Sequence, residues 1–275
     1  MGSRRILPGM SISLSITLFY LSILVLIPLV ALFTKASSLT GAQFLKAVWT
    51  ERAQAAYMLT FGAAAVAAAI DTVLGLLLAW VLVRYEFPFK RLFDSLIDLP
   101  FALPTAVAGL VYSSLYVKTG WLGQFLVPLG IQGAYSQLAI VLVLTFVGLP
   151  FVVRTVQPVL ESLDAELEEA SACLGATRWQ TFTMVLLPAL YPALITGFAL
   201  TFARAIGEYG SVVFVSGNMP FKTEIAPVLI VARLEEFAYA EATAIAVVLL
   251  VASFAMLVII NTLERRTQAA NSSAH

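Results

Sequence analysis

Histidine and cysteine are nearly missing. The 275-residue chain has one of each, His275 and Cys173. A single histidine in the last position cannot assemble a His/Cys metal site or a Ser-His-Asp or Cys-His nucleophile. A lone cysteine excludes an intramolecular disulfide, and Cys173 is expected to be a small helix-packing residue rather than a reactive thiol. Charge is scarce as well: 12% of residues are Asp, Glu, Lys or Arg, and they balance to a formal net charge of zero. That gives no basis for a nucleic-acid partner. No glycine is followed by lysine, so the phosphate-cradling G-x-x-x-x-G-K-[ST] loop is absent. The chain therefore reads as neither a hydrolase nor an ATPase. No internal repeat and no low-complexity linker divides it.

What is present is apolar. Hydrophobic residues make up 60% of the chain and the mean hydropathy is +0.94, far above a soluble domain. A bilayer-crossing helix needs roughly 20 apolar residues. Six stretches qualify: 11–33, 57–83, 99–117, 137–156, 189–215 and 242–261. The fold class is an all-α membrane protein with one transmembrane domain over 11–266. Residues 1–10 form an N-terminal segment and 267–275 a tail expected to be disordered. Arg4 and Arg5 precede a run longer than the ~7–15 residues of a signal-peptide core, without a clear A-x-A site, so 11–33 is expected to stay as the first crossing. With the N-terminus inside, the inner flanks carry Arg4, Arg5, Arg84, Lys90, Arg91, Arg154, Arg178, Arg265 and Arg266. The outer loops carry Lys35, Lys46, Arg52, Lys118, Lys222 and Arg233. This bias puts both termini and loop 161–188 on the cytoplasmic side.

Loop 161–188, ESLDAELEEASACLGATRWQTFTMVLLP, is the longest polar interval on that side. Leu163, Leu167, Ala170 and Leu174 follow helical spacing and fall on one face. Asp164, Glu166, Glu168 and Glu169 load the early turns with the negative charge a helix N-terminus favours. Gly175 suits a left-handed helix stop. Thr177 with Gln180 forms a capping-box signature for a second helix, which Pro188 should limit. Within so short a loop the apolar stripe has little to bury against. An amphipathic helix lying on the membrane is the alternative, but its polar face is acidic where lipid headgroups favour Lys and Arg.

Polar and irregular features also lie within the crossings. Small residues 62–69 allow close helix approach in the second crossing. Asp71 follows them, and a mid-membrane carboxyl costs roughly 2.5–3.5 kcal/mol on insertion scales. It must face protein or water, either lining a substrate path or bonding a neighbouring helix's hydroxyl or backbone. Pro100 and Pro104, beside Thr105, bend the third crossing, whose irregular backbone must line a cavity or be covered. The fourth ends in GLPFVVR, and Pro158 should terminate it. In the fifth, Arg204 and Glu208 stand four apart on one face. They either lock helices together or offer a guanidinium to an oxyanion.

The spacing Glu169-Ala170-Ser171, three residues, Gly175, nine residues, Val185, one residue, Leu187-Pro188 resembles the EAA loop of ABC importer permeases. Ser171 stands where the family has Ala, and Val185 where Ile is usual. The stretch PFALPTAVAG at 100–109 is similar to sulfate-type and molybdate-type permeases. The tract 207–218, with 222–227, 233–237 and 260–264, narrows the likeness to the sulfate/thiosulfate permease family, over essentially the whole chain up to Arg266.

The resemblance implies the six-helix type I importer permease fold in the cytoplasmic (inner) membrane, with the third and fifth crossings lining the pathway. It implies a coupling loop in which Glu169, Ala170, Ser171, Leu174, Gly175, Ala176 and Pro188 meet a separate ATPase. Glu169 would contact polar groups of a groove, Ala170 and Ser171 would allow close approach, and Gly175 the turn. No cofactor is expected on this chain, since ATP and Mg belong to the ATPase. The implied partners are a sister permease, two ATPase copies and an extracytoplasmic sulfate-binding protein. A molybdate or tungstate permease is the nearer alternative. An ion-coupled secondary anion transporter is the more distant one, disfavoured by the absence of inverted repeats.

Overall fold

The computed structural model describes residues 10–272; Arg4, Arg5 and His275 lie outside the described residues. Every regular element among them is helical. In a bilayer each backbone group must be satisfied within its own segment, and runs of Leu, Ala and Val do this as helices. The order is α1 (Met10–Ala36), α2 (Gly41–Val48), α3 (Glu51–Arg84), α4 (Lys90–Ile97), α5 (Leu99–Ala102), α6 (Thr105–Tyr116) and α7 (Gly123–Leu126). Then come α8 (Gln137–Ser162), α9 (Ala165–Cys173), α10 (Arg178–Thr181), α11 (Leu187–Ile206), α12 (Val212–Val215), α13 (Ala226–Glu235) and α14 (Tyr239–Ser272). Hydroxyl caps mark several starts: Thr40 with Gln43 in a capping box, Thr50 and Ser136.

Five helices among the described residues are long and apolar enough to cross a membrane: Met10–Ala36, Glu51–Arg84, Gln137–Ser162, Arg178–Ile206 and Tyr239–Thr262. The third expected crossing, 99–117, is broken. Pro104 pushes Leu103 into an extended conformation (φ −84°, ψ 133°), so α5 and α6 are separate pieces.

The centre of the bundle is the packing of α3, α8 and α11. Ala63, Ala64, Ala67 and Ala68 of α3 are buried with Ile140 and Val143 of α8 and Phe202 and Ala205 of α11. Toward the end that carries loop 161–188, called here the loop end, a second cluster joins Ala79, Leu82, Val152, Val156, Leu160 and Leu190. Contact there is close enough that a Cβ on Gly75 would stand 2.6 Å from Cγ1 of Val152, the small-residue packing that membrane helices use. At the opposite, far end, α3 begins. α1 packs against α14 and buries only Ala36.

Several expected boundaries move. Pro158 does not end the fourth crossing; α8 runs on to Ser162, since one missing N–H removes one bond from a helix packed along its length. Pro188 does not stop the helix leaving the loop either. A π-turn at Phe182–Leu186 carries α10 into α11, and Pro188 stands just after it. The fifth crossing ends at Ile206 rather than 215, because the chain turns at Gly207 before α12. The tail expected to be disordered from 267 continues α14 to Ser272; Thr267-Gln268-Ala269-Ala270 contains no helix breaker.

Candidate coupling loop and pathway site

α9 begins after Asp164, with Glu166 and Glu168 in its first turn. It ends at Gly175, whose φ of +83° is left-handed, and nothing would meet a Cβ placed there within 4 Å. Glycine is therefore required by backbone conformation and not by space. Thr177 and Gln180 form the expected capping box of α10. Leu163 leaves the expected stripe: it caps the end of α8 in extended conformation and packs on the loop-end cluster. The remaining stripe is open, with Leu167 47% and Leu174 89% exposed. Glu169, Ala170 and Cys173 are exposed too.

Two contacts hold this helix to the bundle. The Ser171 hydroxyl, buried, lies 2.8 Å from that of Thr181. Glu168 Oε1 lies 2.6 Å from Arg84 Nη2 at the end of α3, as a charge pair rather than an aligned hydrogen bond. Arg84 also stands over the Trp80 ring, 5.6 Å from its centre, and Trp80 meets Phe182 edge-on. Ala176 lines a cleft of 290 Å³ between loop and bundle, with Trp80, Glu168 and Phe182.

The second candidate group gathers where α6 meets the turn after α11. Thr105 packs so closely on Gly210 that a Cβ there would reach within 2.2 Å of its Oγ1, and Gly109 lies equally close to the Ser211 carbonyl. Ser113 donates to the Phe214 carbonyl at 2.9 Å. Arg204 and Glu208 form an ion pair at 2.5 Å, with the Glu208 side chain 2% exposed and the Arg204 side chain 35%. The other Glu208 oxygen accepts from the backbone N–H and the hydroxyl of Ser211, both at 2.9 Å. Glu208 thus fixes the turn as well as pairing with Arg204. Pro104, Thr105, Arg204 and Glu208 converge on this junction. Pro100 lies apart, on an apolar cleft with Phe93, Leu96 and Phe146.

Asp71 is also apart. It is fully buried, against Gly148 and the methyl of Thr201. The expected bond to a neighbouring hydroxyl or carbonyl is not made: neither carboxyl oxygen has a hydrogen-bond partner. The Thr201 hydroxyl turns instead to the Gly148 carbonyl, at 3.2 Å.

Residues 71–269 match the family model described as "Binding-protein-dependent transport system inner membrane component". The chain belongs to that family. The permease is 50% identical over 264 residues to "Sulfate transport system permease protein CysT" of Salmonella typhimurium, covering 96% of this chain and 95% of that one. To the protein of the same name in Escherichia coli it is 48% identical with the same coverage. It is 48% identical to "Probable sulfate transport system permease protein cysT" of Nephroselmis olivacea, over 96% and 94% of the two chains. Among solved structures, a chain of a bacterial ABC transporter for import of the acidic polysaccharide alginate superposes with a TM-score of 0.76. It is 17% identical and covers 93% of this chain and 94% of that one. A chain of the MetNI methionine ABC transporter gives a TM-score of 0.58 at 19% identity, over 76% and 93%. These likenesses place the permease in the type I importer fold.

In this permease, sequence reasoning used three arginines only to orient the chain, and all three tie elements together. Arg52 at the start of α3 makes a forked pair with Glu224, at 2.8 and 2.7 Å. Arg84 meets α9. Arg154 of α8 bonds Asp94 of α4 and Asp98 just past its end. The signal for the last was available: two carboxylates four residues apart on a short helix, and an arginine inside a crossing.

Proposed function

We propose that this chain is the membrane-spanning subunit of an ATP-driven importer for sulfate, and with it thiosulfate. The observation that carries the transport half is the geometry of α9. A helix with acidic first turns, open leucines and a left-handed glycine stop projects from the bundle, anchored by two contacts. It is shaped to enter a groove on another protein. The substrate half is supported by relatives at about half identity over nearly the whole chain that bear the name sulfate transport system permease. The chain carries no phosphate loop, so the work comes from an ATPase, which holds ATP and Mg. Closure of two ATPase copies pushes α9 and shifts the bundle between inward-facing and outward-facing states. A sister permease completes the pathway, and an extracytoplasmic binding protein delivers the anion. In this arrangement the loop end faces the cytoplasm, as do both termini. Pro104, Thr105, Arg204 and Glu208 lie at the lining. Glu208 keeps Arg204 partly neutralised, so the anion is not trapped where it must pass.

The test is uptake of labelled sulfate in cells deleted for this chain and complemented with wild type or Gly175→Asp. Wild type restores uptake, and the variant inserts in the membrane but does not. Excess thiosulfate suppresses uptake much more than molybdate does. Normal uptake by Gly175→Asp would sink the docking model. Stronger competition by molybdate would move the substrate to the molybdate class.

A further inference from the structure

We infer that Arg154 is a positioning residue that yokes the broken third crossing to the helix leading into the coupling loop. This rests on the transport reading above, but not on the identity of the anion.

Its guanidinium is fully engaged. Nε and Nη2 hold the two Asp98 oxygens at 2.9 and 2.6 Å, and Nη1 holds Asp94 Oδ1 at 2.6 Å. Nη2 also reaches the Asp94 carbonyl at 2.9 Å, and Nη1 the Gln157 amide oxygen at 2.8 Å. A planar fork held on both edges resists rotation in a way that a lysine ammonium does not. One edge contact reinforces it: the Phe101 and Phe151 rings meet edge-on at 5.1 Å. The other face of α4 is exposed, with Leu92 55% and Phe93 53% accessible.

The placement gives this cluster its consequence. Arg154 lies eight residues before Ser162, about 12 Å along the helix, and α9 begins three residues after Ser162. On the other side, Asp98 immediately precedes α5, and the break at Leu103-Pro104 follows. Beyond the break, α6 is fastened chiefly to the 210–214 segment through Thr105, Gly109 and Ser113, and it touches α8 through the Tyr112 and Phe146 rings, 5.5 Å apart. The third crossing is thus held at two places, its first part by Arg154 of α8 and its second chiefly by the turn after α11. Any displacement of the loop end of α8 against that turn is therefore concentrated at Leu103-Pro104, beside Thr105.

The test uses the complete transporter, with its ATPase and binding protein, in lipid nanodiscs and with Cys173→Ser as background. Spin labels at Leu92→Cys and Glu161→Cys report α4 against α8. Labels at Leu110→Cys and Glu161→Cys report α6 against α8. Between the nucleotide-free and vanadate-trapped states the first distance stays fixed and the second changes by several ångström. Arg154→Ala makes the first distance state-dependent and lowers anion transported per ATP hydrolysed by about tenfold, within the reach of a single coupling residue. Where Arg154→Ala does not assemble, Arg154→Lys and Asp98→Asn give the same readouts with smaller shifts. A first distance that moves as much as the second overturns the yoke. So do two distances that never change, or an Arg154→Ala transporter with unchanged distances and unchanged coupling. Uptake retained by Gly175→Asp would instead sink the docking model and leave these distances to be judged by themselves.

Discussion

Two loops at opposite ends of the bundle use polar residues in opposite ways. At the far end, segment 207–226 turns its polar groups inward. Ser211, Ser216, Thr223 and Glu224 are buried. Glu224 is forked by Arg52, and Thr60 accepts the Ala226 N–H at 2.8 Å. Each of these groups satisfies another part of the same chain, as buried polar groups must. At the loop end, segment 163–177 leaves Glu166, Leu167, Glu169 and Leu174 open, while Leu163, Glu168 and Ser171 reach back to the rest of the chain. The first loop is part of the core by another route. The second is an open surface, and in the proposed reading it is completed by the ATPase. Damage at the far end should therefore appear as lost stability, and damage at the loop end as lost coupling in a well-folded chain.

Four single substitutions and one double test that division, ordered by their effect on the melting of the purified permease. Arg52→Ala leaves the buried Glu224 carboxylate alone and costs about 3 kcal/mol, the lower end for breaking a buried pair because Arg52 is partly exposed. Gly210→Ala drives a Cβ into Thr105 Oγ1 and costs about 1–3 kcal/mol. Adding Thr105→Ala to it removes the obstructing oxygen and recovers part of the loss, a non-additive cycle that also tests the contact itself. Glu168→Gln breaks a part-exposed pair and costs at most about 1 kcal/mol, while ATP hydrolysis loses its dependence on loaded binding protein. Leu174→Ser changes stability by less than about 0.5 kcal/mol, yet the ATPase no longer copurifies. A large melting shift from Leu174→Ser, or an unshifted Arg52→Ala, would erase the distinction.

The helices and the local shape of loop 161–188 were legible because their signals are local. Long apolar runs mark crossings, and Thr177-Gln180 and Gly175 mark a cap and a stop. The positions of Pro100, Pro104, Arg204 and Glu208 gave irregularity and charge, but not their convergence, since Thr105 meets Gly210 across more than a hundred residues. Pro158 and Pro188 read locally as helix ends, but tertiary packing and a π-turn carry the backbone through both. For Asp71 the sequence leaves two readings, lining a path or bonding a neighbouring helix, and the second is not met. Its neighbours are the Cα of Gly148 and a threonine methyl, a detail no spacing encodes. The Arg154 cluster was hidden for a related reason: Asp94 and Asp98 stand well over fifty residues before the arginine they bind.

The wide turn at Phe182–Leu186 has a consequence for the angular phase of the loop. A π-turn holds one residue more than an α-turn, so everything upstream is rotated by about 100° about the helix axis relative to an uninterrupted helix. Thr181 stands just upstream, and its hydroxyl is the seat of Ser171. The extra residue therefore sets the compass bearing on which α9 is presented. Deleting one residue between 182 and 186 would leave the rod continuous and its apolar composition almost unchanged. It would swing Thr181 away from Ser171, and α9 would face another way.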